Sequence, residues 1–96
     1  MRTQLPRLAL TAITLAAFAL PAAAQNYARY SCQDLWVERN QIYKDAGYCF
    51  KTSRAIRYFG NAGCQFDSQS EVPLSRDDRR TVDAIVRVEG YKGCSD

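Results

Sequence analysis

The sequence contains no histidine, which removes the side chain most often used for acid–base catalysis near neutral pH. Histidine is also the commonest metal ligand, so its absence removes the usual nitrogen-based metal sites. Among the four cysteines, no pair has the close C-x2-C type of spacing that structural zinc sites favour. We therefore expect no metal ion, no cofactor and no catalytic residue, and we expect that the protein is not an enzyme.

The sequence also has little excess charge of either sign. Without Arg2 and Arg7, which lie in the N-terminal leader described below, eleven basic residues stand against ten acidic ones. Nucleic-acid binders and cationic membrane-lytic peptides need a concentrated basic surface. We therefore expect no nucleic-acid partner.

Only one long apolar run is present, and it lies at residues 8–20, after a basic start. It is shorter than the roughly 20 residues that a membrane-spanning helix needs. Three alanines at residues 22–24 follow it, which is typical of a secretory signal peptide with a small-residue cleavage site. We predict a signal peptide over residues 1–24, cleaved after Ala24, and a periplasmic or extracellular mature protein without a membrane span.

The mature chain, residues 25–96, is short enough for one domain at most. Domains of this size rarely bury enough apolar surface to be stable without cross-links. An even number of cysteines in a short exported chain is typical of disulfides. The sequence therefore predicts two disulfide bonds.

Apolar periodicity and capping residues predict three helices, over residues 31–47, 52–61 and 75–90. Gly47 and Gly60 are expected to end the first two helices, and Gly90 and Gly93 are expected to close the chain around Cys94. The third helix presents Val82, Ile85, Val86 and Glu89 on one face. The predicted fold is all-α: a flexible N-terminal arm at residues 25–30 precedes a three-helix domain at residues 31–96.

Four cysteines allow three disulfide connectivities. Cys32 and Cys49 flank the first helix, which is about 20 Å long. A disulfide requires Cα atoms within about 7 Å, so these two cysteines cannot pair. An antiparallel arrangement of the first and third helices predicts Cys32–Cys94 with Cys49–Cys64, which we favour. A down-up-down arrangement predicts Cys32–Cys64 with Cys49–Cys94 instead.

Arg39 and Asn40 stand where the first helix would be expected to carry apolar residues. One interpretation is a polar pair that binds a ligand. The interpretation we favour is structural, because buried polar groups require partners. In that case Asn40 hydrogen-bonds to the backbone of the connector after the first helix, and Arg39 pairs with an acid such as Glu89.

The aromatic residues also allow two interpretations. Tyr43 and Phe50 are expected in the core, whereas Tyr48 and other tyrosines could form a stacking surface for a sugar or a peptide. We favour amphipathic rings that half-cover a thin core.

The run RNQIYKDAGYCFK at residues 39–51, followed by a Tyr-Phe pair and a third helix, resembles the YARHG family of extracellular domains. The resemblance covers about residues 35–89 and is closest to a small, cysteine-bearing branch of secreted bacterial proteins. It rests on Arg39, Asn40, Ile42, Tyr43, Gly47, Tyr48, Phe50, Lys51, Tyr58, Phe59, Leu74, Ser75, Ile85 and Glu89.

One departure from the family concerns the string after which it is named, Tyr-Ala-Arg-His-Gly. Where the name has Ala-Arg-His, this sequence has Lys44, Asp45 and Ala46. The Tyr-Ala-Arg string at residues 27–29 is not the counterpart, because it precedes the first helix.

The resemblance implies a fold and a compartment rather than a reaction. We expect a binding or structural module of the cell envelope, whose partner is an unknown protein or an envelope component. The alternative is a secreted inhibitor or effector that acts on another enzyme.

Overall fold

The structure is a computed structural model that describes residues 26–95. The predicted signal peptide, residues 1–24, lies outside the described residues. The described chain forms helix α1 (Cys32–Asp45), helix α2 (Ser53–Phe59), a 3-10 turn (Gln69–Glu71) and helix α3 (Arg76–Lys92). Residues 26–95 contain no β-strand, only one isolated bridge. The predicted all-α, three-helix class is therefore confirmed.

Each helix begins at a hydroxyl side chain that accepts a hydrogen bond from a backbone N–H of the first turn. Ser31 accepts from Asp34 in α1 and Ser75 accepts from Asp78 in α3, each at 3.0 Å. Thr52 accepts from the backbone N–H of Ala55 in α2 at 3.1 Å. Such caps satisfy donors that the helix itself leaves unpaired, so the sequence fixes where each helix starts.

The helix ends follow the predicted glycines in two cases and depart in the third. Gly47, with φ of +97°, follows α1, and Gly60, with φ of +74°, follows α2. The predicted third helix stops at Gly90, whereas α3 continues to Lys92. The left-handed Gly93 ends it, with φ of 70° and ψ of 30°. Gly93 tolerates this conformation without the steric penalty of a side chain.

The two disulfide bonds have the favoured connectivity, Cys32–Cys94 and Cys49–Cys64, with Cα atoms 5.5 and 5.1 Å apart. Cys32 is the first residue of α1, and Cys94 lies just after the end of α3, so these helices run antiparallel. The second bond joins the connector after α1 to the segment after α2. Together the two bonds link all three helices.

Helix α1 lies between two apolar clusters. Leu35 packs with Ile85 and Val88 of α3, whereas Trp36, the next residue, packs with Phe50 and Ala55 on the side of α2. Because apolar residues face both sides, α1 lacks one clean apolar stripe. This arrangement explains how polar residues can follow Trp36 without interrupting the core.

The face of α3 differs from the predicted one. Val82 and Ile85 are buried as expected, but Val86 is 49 % exposed and Val88 is buried in its place. Ala84 is buried as well, so the apolar face is centred between Ile85 and Val88 rather than between Val82 and Val86.

The segment before α1 contributes to the core. The side chains of Tyr27 and Tyr30 pack against the Leu35 cluster, whereas Ala28 and Arg29 are exposed. The rings of Tyr27 and Tyr30 contact each other edge to face, with centroids 5.1 Å apart. Within residues 26–30, exposed positions therefore alternate with tyrosines that pack inwards, and Asn26 is exposed as well.

No helix within residues 26–95 combines the length and the apolar character needed to cross a lipid bilayer.

Candidate functional site

Arg39 and Glu89 form an ion pair across α1 and α3. Two nitrogens of the Arg39 guanidinium, Nε and Nη2, donate to the two carboxylate oxygens of Glu89 at 2.8 and 3.0 Å. Both side chains are 13 % exposed. This confirms the predicted pairing and shows that the Arg39 charge is balanced within the protein.

Asn40 is the one buried polar residue in the described chain, with 5 % of its surface exposed. Its Nδ2 donates to the backbone oxygen of Trp36, one turn earlier in α1, at 2.9 Å. The prediction that it bonds to the connector backbone was therefore wrong. In a helix, the backbone oxygen four residues earlier is the nearest acceptor for a short side-chain amide, so Asn40 bonds to it and not to the connector. No described residue donates to its Oδ1.

Asn61 has the role that we predicted for Asn40. Its Oδ1 accepts from the backbone N–H of Phe50 at 2.7 Å, and its Nδ2 donates to the backbone oxygen of Phe50 at 3.0 Å. The two bonds satisfy both backbone groups of Phe50 at once. The sequence indicates only that Asn61 lies in a turn, because nothing in it identifies a partner eleven residues away.

The connector between α1 and α2 is also paired through its backbone. The oxygen of Gly47 accepts from the N–H groups of Gln65 and Phe66 at 2.7 and 3.0 Å, and Cys49 donates to the oxygen of Phe66 at 2.8 Å. Tyr48 and Phe66 form the isolated parallel bridge. The segment that carries Tyr48, Phe50 and the following residues is thus fixed on both sides.

A pocket with a volume of about 170 Å³ lies between α1, this connector and the start of α2. Its residues come from four short segments. They are Trp36, Arg39, Asn40, Tyr48, Phe50, Lys51, Thr52, Arg54, Ala55 and Gln69. We call this cavity the Trp36 pocket.

Five of the seven motif residues predicted from the sequence line the Trp36 pocket: Arg39, Asn40, Tyr48, Phe50 and Lys51. The other two do not line it. The Tyr43 ring contacts that of Tyr48, with centroids 5.8 Å apart, and Gly47 lies just after the end of α1. Sequence reasoning missed Trp36 as a pocket residue, and it missed Thr52, Arg54, Ala55 and Gln69.

The lining of the Trp36 pocket includes three cationic side chains and no acidic one. Arg39 is balanced by Glu89. Lys51 contacts Asp67 at 3.1 Å, but that carboxylate is 86 % exposed, so the pair is weak. The lining of the pocket therefore carries more positive than negative side chains.

Arg54 is held by neutral groups. Its guanidinium carbon lies 3.8 Å from the centre of the Trp36 ring, and its Nη2 donates to the side-chain oxygen of Gln33. Among the described residues, no carboxylate lies within 4.0 Å of its guanidinium nitrogens. The cation–π contact orients the charge without neutralising it.

Two aromatic rings, those of Tyr48 and Phe50, form an aromatic wall of the pocket. Phe50 stacks on Phe59 with centroids 5.1 Å apart, and Tyr48 meets Phe50 edge to face at 5.2 Å. Phe50 is 3 % exposed and Tyr48 is half-buried. The predicted core role of Phe50 is confirmed, and its buried ring also forms part of the pocket.

One side chain whose pKa is shifted, Tyr27, lies outside the lining of this pocket. Burial raises the pKa of Tyr27 above its ordinary value of 10.0, and the charges of Glu38 and Tyr30 raise it further. Within residues 26–95, no group of three or more acidic or cysteine side chains is placed to hold a metal ion.

The helices, the two disulfides and the pocket together define a small, cross-linked, all-α domain. The profile of the YARHG domain matches residues 11–90, most of the chain. The protein therefore belongs to the YARHG domain family. The match begins earlier than the motif residues from which we inferred the resemblance, and residues 11–25 of it lie outside the described structure. Comparisons with curated proteins and with solved structures give no match.

Proposed function

We propose that the protein is an exported, non-catalytic binding domain whose ligand carries a negative charge and binds in the Trp36 pocket. The observation that carries this proposal is the position of Arg54. Its charge lines the pocket, is fixed by Trp36 and Gln33, and has no described carboxylate within 4.0 Å. A cation held by neutral groups remains available to an anionic ligand.

The fixed geometry of Arg54 also favours affinity. Ordering a long side chain on binding costs about 0.5–1.5 kcal/mol, and part of this cost is already met when the side chain is held in the free protein. Lys51 is 53 % exposed and supplies a second positive charge at the same pocket. The two cations can therefore act on one anion.

The lining suggests binding rather than catalysis. It contains no carboxylate and no thiol, and the whole chain contains no histidine. The one hydroxyl from an aliphatic side chain, on Thr52, accepts the capping hydrogen bond of α2. No base stands beside it to activate it as a nucleophile.

Export is part of the proposal. All four cysteines are in disulfide bonds, which persist in oxidising compartments. We propose that residues 1–24 direct secretion and are removed after Ala24, which places the mature domain in the periplasm or outside the cell. Intact mass spectrometry of protein recovered from the envelope or medium should give a chain that begins at Gln25; the mass of the full chain would contradict this step.

The binding proposal can be tested with small anions of known structure. Oxidised protein is titrated with sodium propionate, inorganic phosphate and sulfate while the fluorescence of Trp36, the only tryptophan, is recorded. We expect saturable changes with at least one anion and loss of about tenfold in affinity in Arg54→Gln, because a charge-assisted hydrogen bond is removed.

The matched control is Arg57→Gln, which removes an exposed arginine from the same helix but outside the pocket. It should bind like the unmodified protein. If none of the anions perturbs Trp36, or if both variants weaken binding equally, the pocket is not an anion site. Binding to a target enzyme that Arg54→Gln leaves unchanged would favour a secreted inhibitor or effector instead.

A further inference from the structure

Asn40 lines the Trp36 pocket, and its side chain has an acceptor without a described donor. The residue is 5 % exposed, and it forms part of the pocket lining. Its amide nitrogen is bonded to Trp36, while no described residue donates to its Oδ1. A buried carbonyl oxygen without a donor is unfavourable, and native proteins retain such groups rarely. A ligand that donates a hydrogen bond would remove this penalty.

The pocket therefore requires two features of one ligand. Arg54 and Lys51 favour an anion, and Asn40 favours a hydrogen-bond donor. All three residues line the same small cavity, so the anion and the donor must be close together in the ligand. An amide N–H next to a carboxylate has this arrangement, and it occurs at the last residue of every peptide chain.

The volume limits the size of the group that enters. A cavity of about 150 Å³ holds benzene, which has six heavy atoms. The Trp36 pocket, at about 170 Å³, is similar. It is smaller than the roughly 300–1,000 Å³ of sites that enclose a whole drug-sized ligand. A terminal alanine, counted from its amide nitrogen to its carboxylate oxygens, also has six heavy atoms.

Building on the proposed function, we infer that the Trp36 pocket binds the carboxyl-terminal residue of a peptide whose last side chain is small. The terminal carboxylate contacts Arg54 and Lys51. The last amide N–H donates to Oδ1 of Asn40. The small side chain lies against the aromatic wall that Tyr48 and Phe50 form, and the rest of the peptide extends into solvent.

The experiment compares five probes by Trp36 fluorescence and by isothermal titration calorimetry, with the oxidised protein. N-acetyl-L-alanine has both the carboxylate and the adjacent amide donor. Propionate lacks the donor, N-acetyl-L-alanine amide lacks the charge, and lactate replaces the amide donor with a hydroxyl. N-acetyl-L-phenylalanine keeps both groups but carries a large side chain.

We expect N-acetyl-L-alanine to bind about tenfold more tightly than propionate, because it satisfies the Asn40 acceptor. N-acetyl-L-alanine amide should bind about tenfold more weakly than N-acetyl-L-alanine, because it lacks the negative charge. N-acetyl-L-phenylalanine should also bind about tenfold more weakly, because its side chain is too large for the pocket. Lactate should bind more weakly than N-acetyl-L-alanine; tighter binding of lactate would overturn the peptide assignment in favour of a hydroxy acid.

Asn40→Leu tests the donor contact directly. Leucine has nearly the same shape and leaves no unsatisfied group in the side chain, so the variant should fold. In this variant the roughly tenfold preference for N-acetyl-L-alanine over propionate should fall to about equal affinity. Thermal unfolding of the variant confirms that it is folded, and Arg57→Gln again serves as the control that retains the preference.

The two proposals fail in different ways. If propionate and N-acetyl-L-alanine bind equally and both depend on Arg54, the anion site stands and the peptide assignment is wrong. The assignment is also wrong if Asn40→Leu keeps the preference, or if N-acetyl-L-phenylalanine binds as tightly as the alanine derivative. If no probe perturbs Trp36, the binding function itself is wrong.

Discussion

Arg39 and Glu89 are 50 residues apart in the sequence, and their side chains are joined by two hydrogen bonds of 2.8 and 3.0 Å. The pair links the middle of α1 to the last turns of α3, beside the apolar contact of Leu35 with Ile85 and Val88. Because both side chains are only 13 % exposed, water screens the pair weakly.

Glu89→Ala is therefore expected to lower the free energy of unfolding by about 2 kcal/mol, between the values typical of exposed and of fully buried pairs. The variant loses two charge-assisted hydrogen bonds at once. Urea unfolding measures the change, and Asp83→Ala, which removes an exposed acid of α3, is the control. A loss as small as that of the control would mean that the pair contributes little.

Asn61→Ala should destabilise the connector, because both backbone groups of Phe50 lose their partner. We expect a loss of about 1–3 kcal/mol in the free energy of unfolding. Asn61→Asp keeps the acceptor for the Phe50 N–H but removes the donor to its oxygen, so its loss should be smaller. Hydrogen exchange of the Phe50 amide separates the two variants: the alanine variant should exchange faster than the aspartate variant, and equal rates would contradict this interpretation.

Two glycine substitutions should have opposite effects. Gly90→Ala is expected to stabilise the protein by about 0.5–1 kcal/mol, because the position lies within α3 and an added Cβ meets no atom within 4 Å. Gly47→Ala should destabilise it by about 1–3 kcal/mol. There φ is +97° and an added Cβ would lie 3.3 Å from the Phe66 ring.

Melting temperatures measure both changes, and Gly60→Ala is the control for Gly47→Ala. Its φ is also positive, at +74°, but a Cβ there meets nothing within 4 Å. The difference between the two variants therefore reports the contact with Phe66. If they lose equal stability, backbone conformation alone explains the effect.

The two disulfides should differ in what their removal changes. In the chain-entropy model, loss of Cys32–Cys94, with a sequence separation of 62, removes about 4 kcal/mol, and loss of Cys49–Cys64, with a separation of 15, removes about 3 kcal/mol. Replacement of each pair by serine, followed by urea unfolding, tests this order.

Ligand binding should show the opposite order. Cys49 lies between Tyr48 and Phe50, which line the Trp36 pocket, so the Cys49→Ser/Cys64→Ser variant should lose more affinity for N-acetyl-L-alanine. The Cys32→Ser/Cys94→Ser variant should bind nearly normally at a temperature where it remains folded. Equal losses in the two variants would show that the pocket does not depend on the connector.

The stability of the protein at alkaline pH should depend on the raised pKa of Tyr27. Its pKa is raised above 10.0, mainly by burial and then by Glu38 and Tyr30. The folded state therefore holds the phenolic proton more tightly than the unfolded state does. The raised pKa of Tyr27 contributes to the free energy of unfolding. This contribution is complete below pH 10 and is lost as the pH rises from the pKa of Tyr27 in the unfolded state through its pKa in the folded state.

As the pH rises from 9 to 11, the free energy of unfolding of Tyr27→Phe should therefore fall less than that of the unmodified protein. Short urea-unfolding measurements across this range test the slope, and Tyr91→Phe, at a side chain that is 69 % exposed, is the control for loss of one phenol. Identical slopes for the unmodified protein and Tyr27→Phe would contradict the role of burial.

Local rules were enough to predict the helices and their starts. Ser31 and Ser75 are caps whose partner is three residues away, and such short-range bonds can be inferred from spacing. For the disulfides, the length of α1 excluded one connectivity and left two open. The observed one is the connectivity that we favoured, which assumed an antiparallel third helix.

Contacts between distant segments were predictable only when charge limited the choice. Glu89 could be assigned to Arg39 because few acids lie on the apolar side of α3. The amide of Asn61 has no such restriction, and its partner, Phe50, is set by how the connector folds back. Likewise the role of Arg54 depends on where Trp36 places its ring, and no spacing rule relates residues of two different helices.

The Cys32–Cys94 bond brings together the two ends of the helical domain, with Cα atoms 5.5 Å apart. If the chain is pulled from both sides of the domain, the tension passes through the sulfur–sulfur bond and does not reach the helices between. The pocket and its connector are therefore outside the path of the load. A domain built in this way keeps the Trp36 pocket intact under mechanical stress as long as the two sulfurs remain bonded.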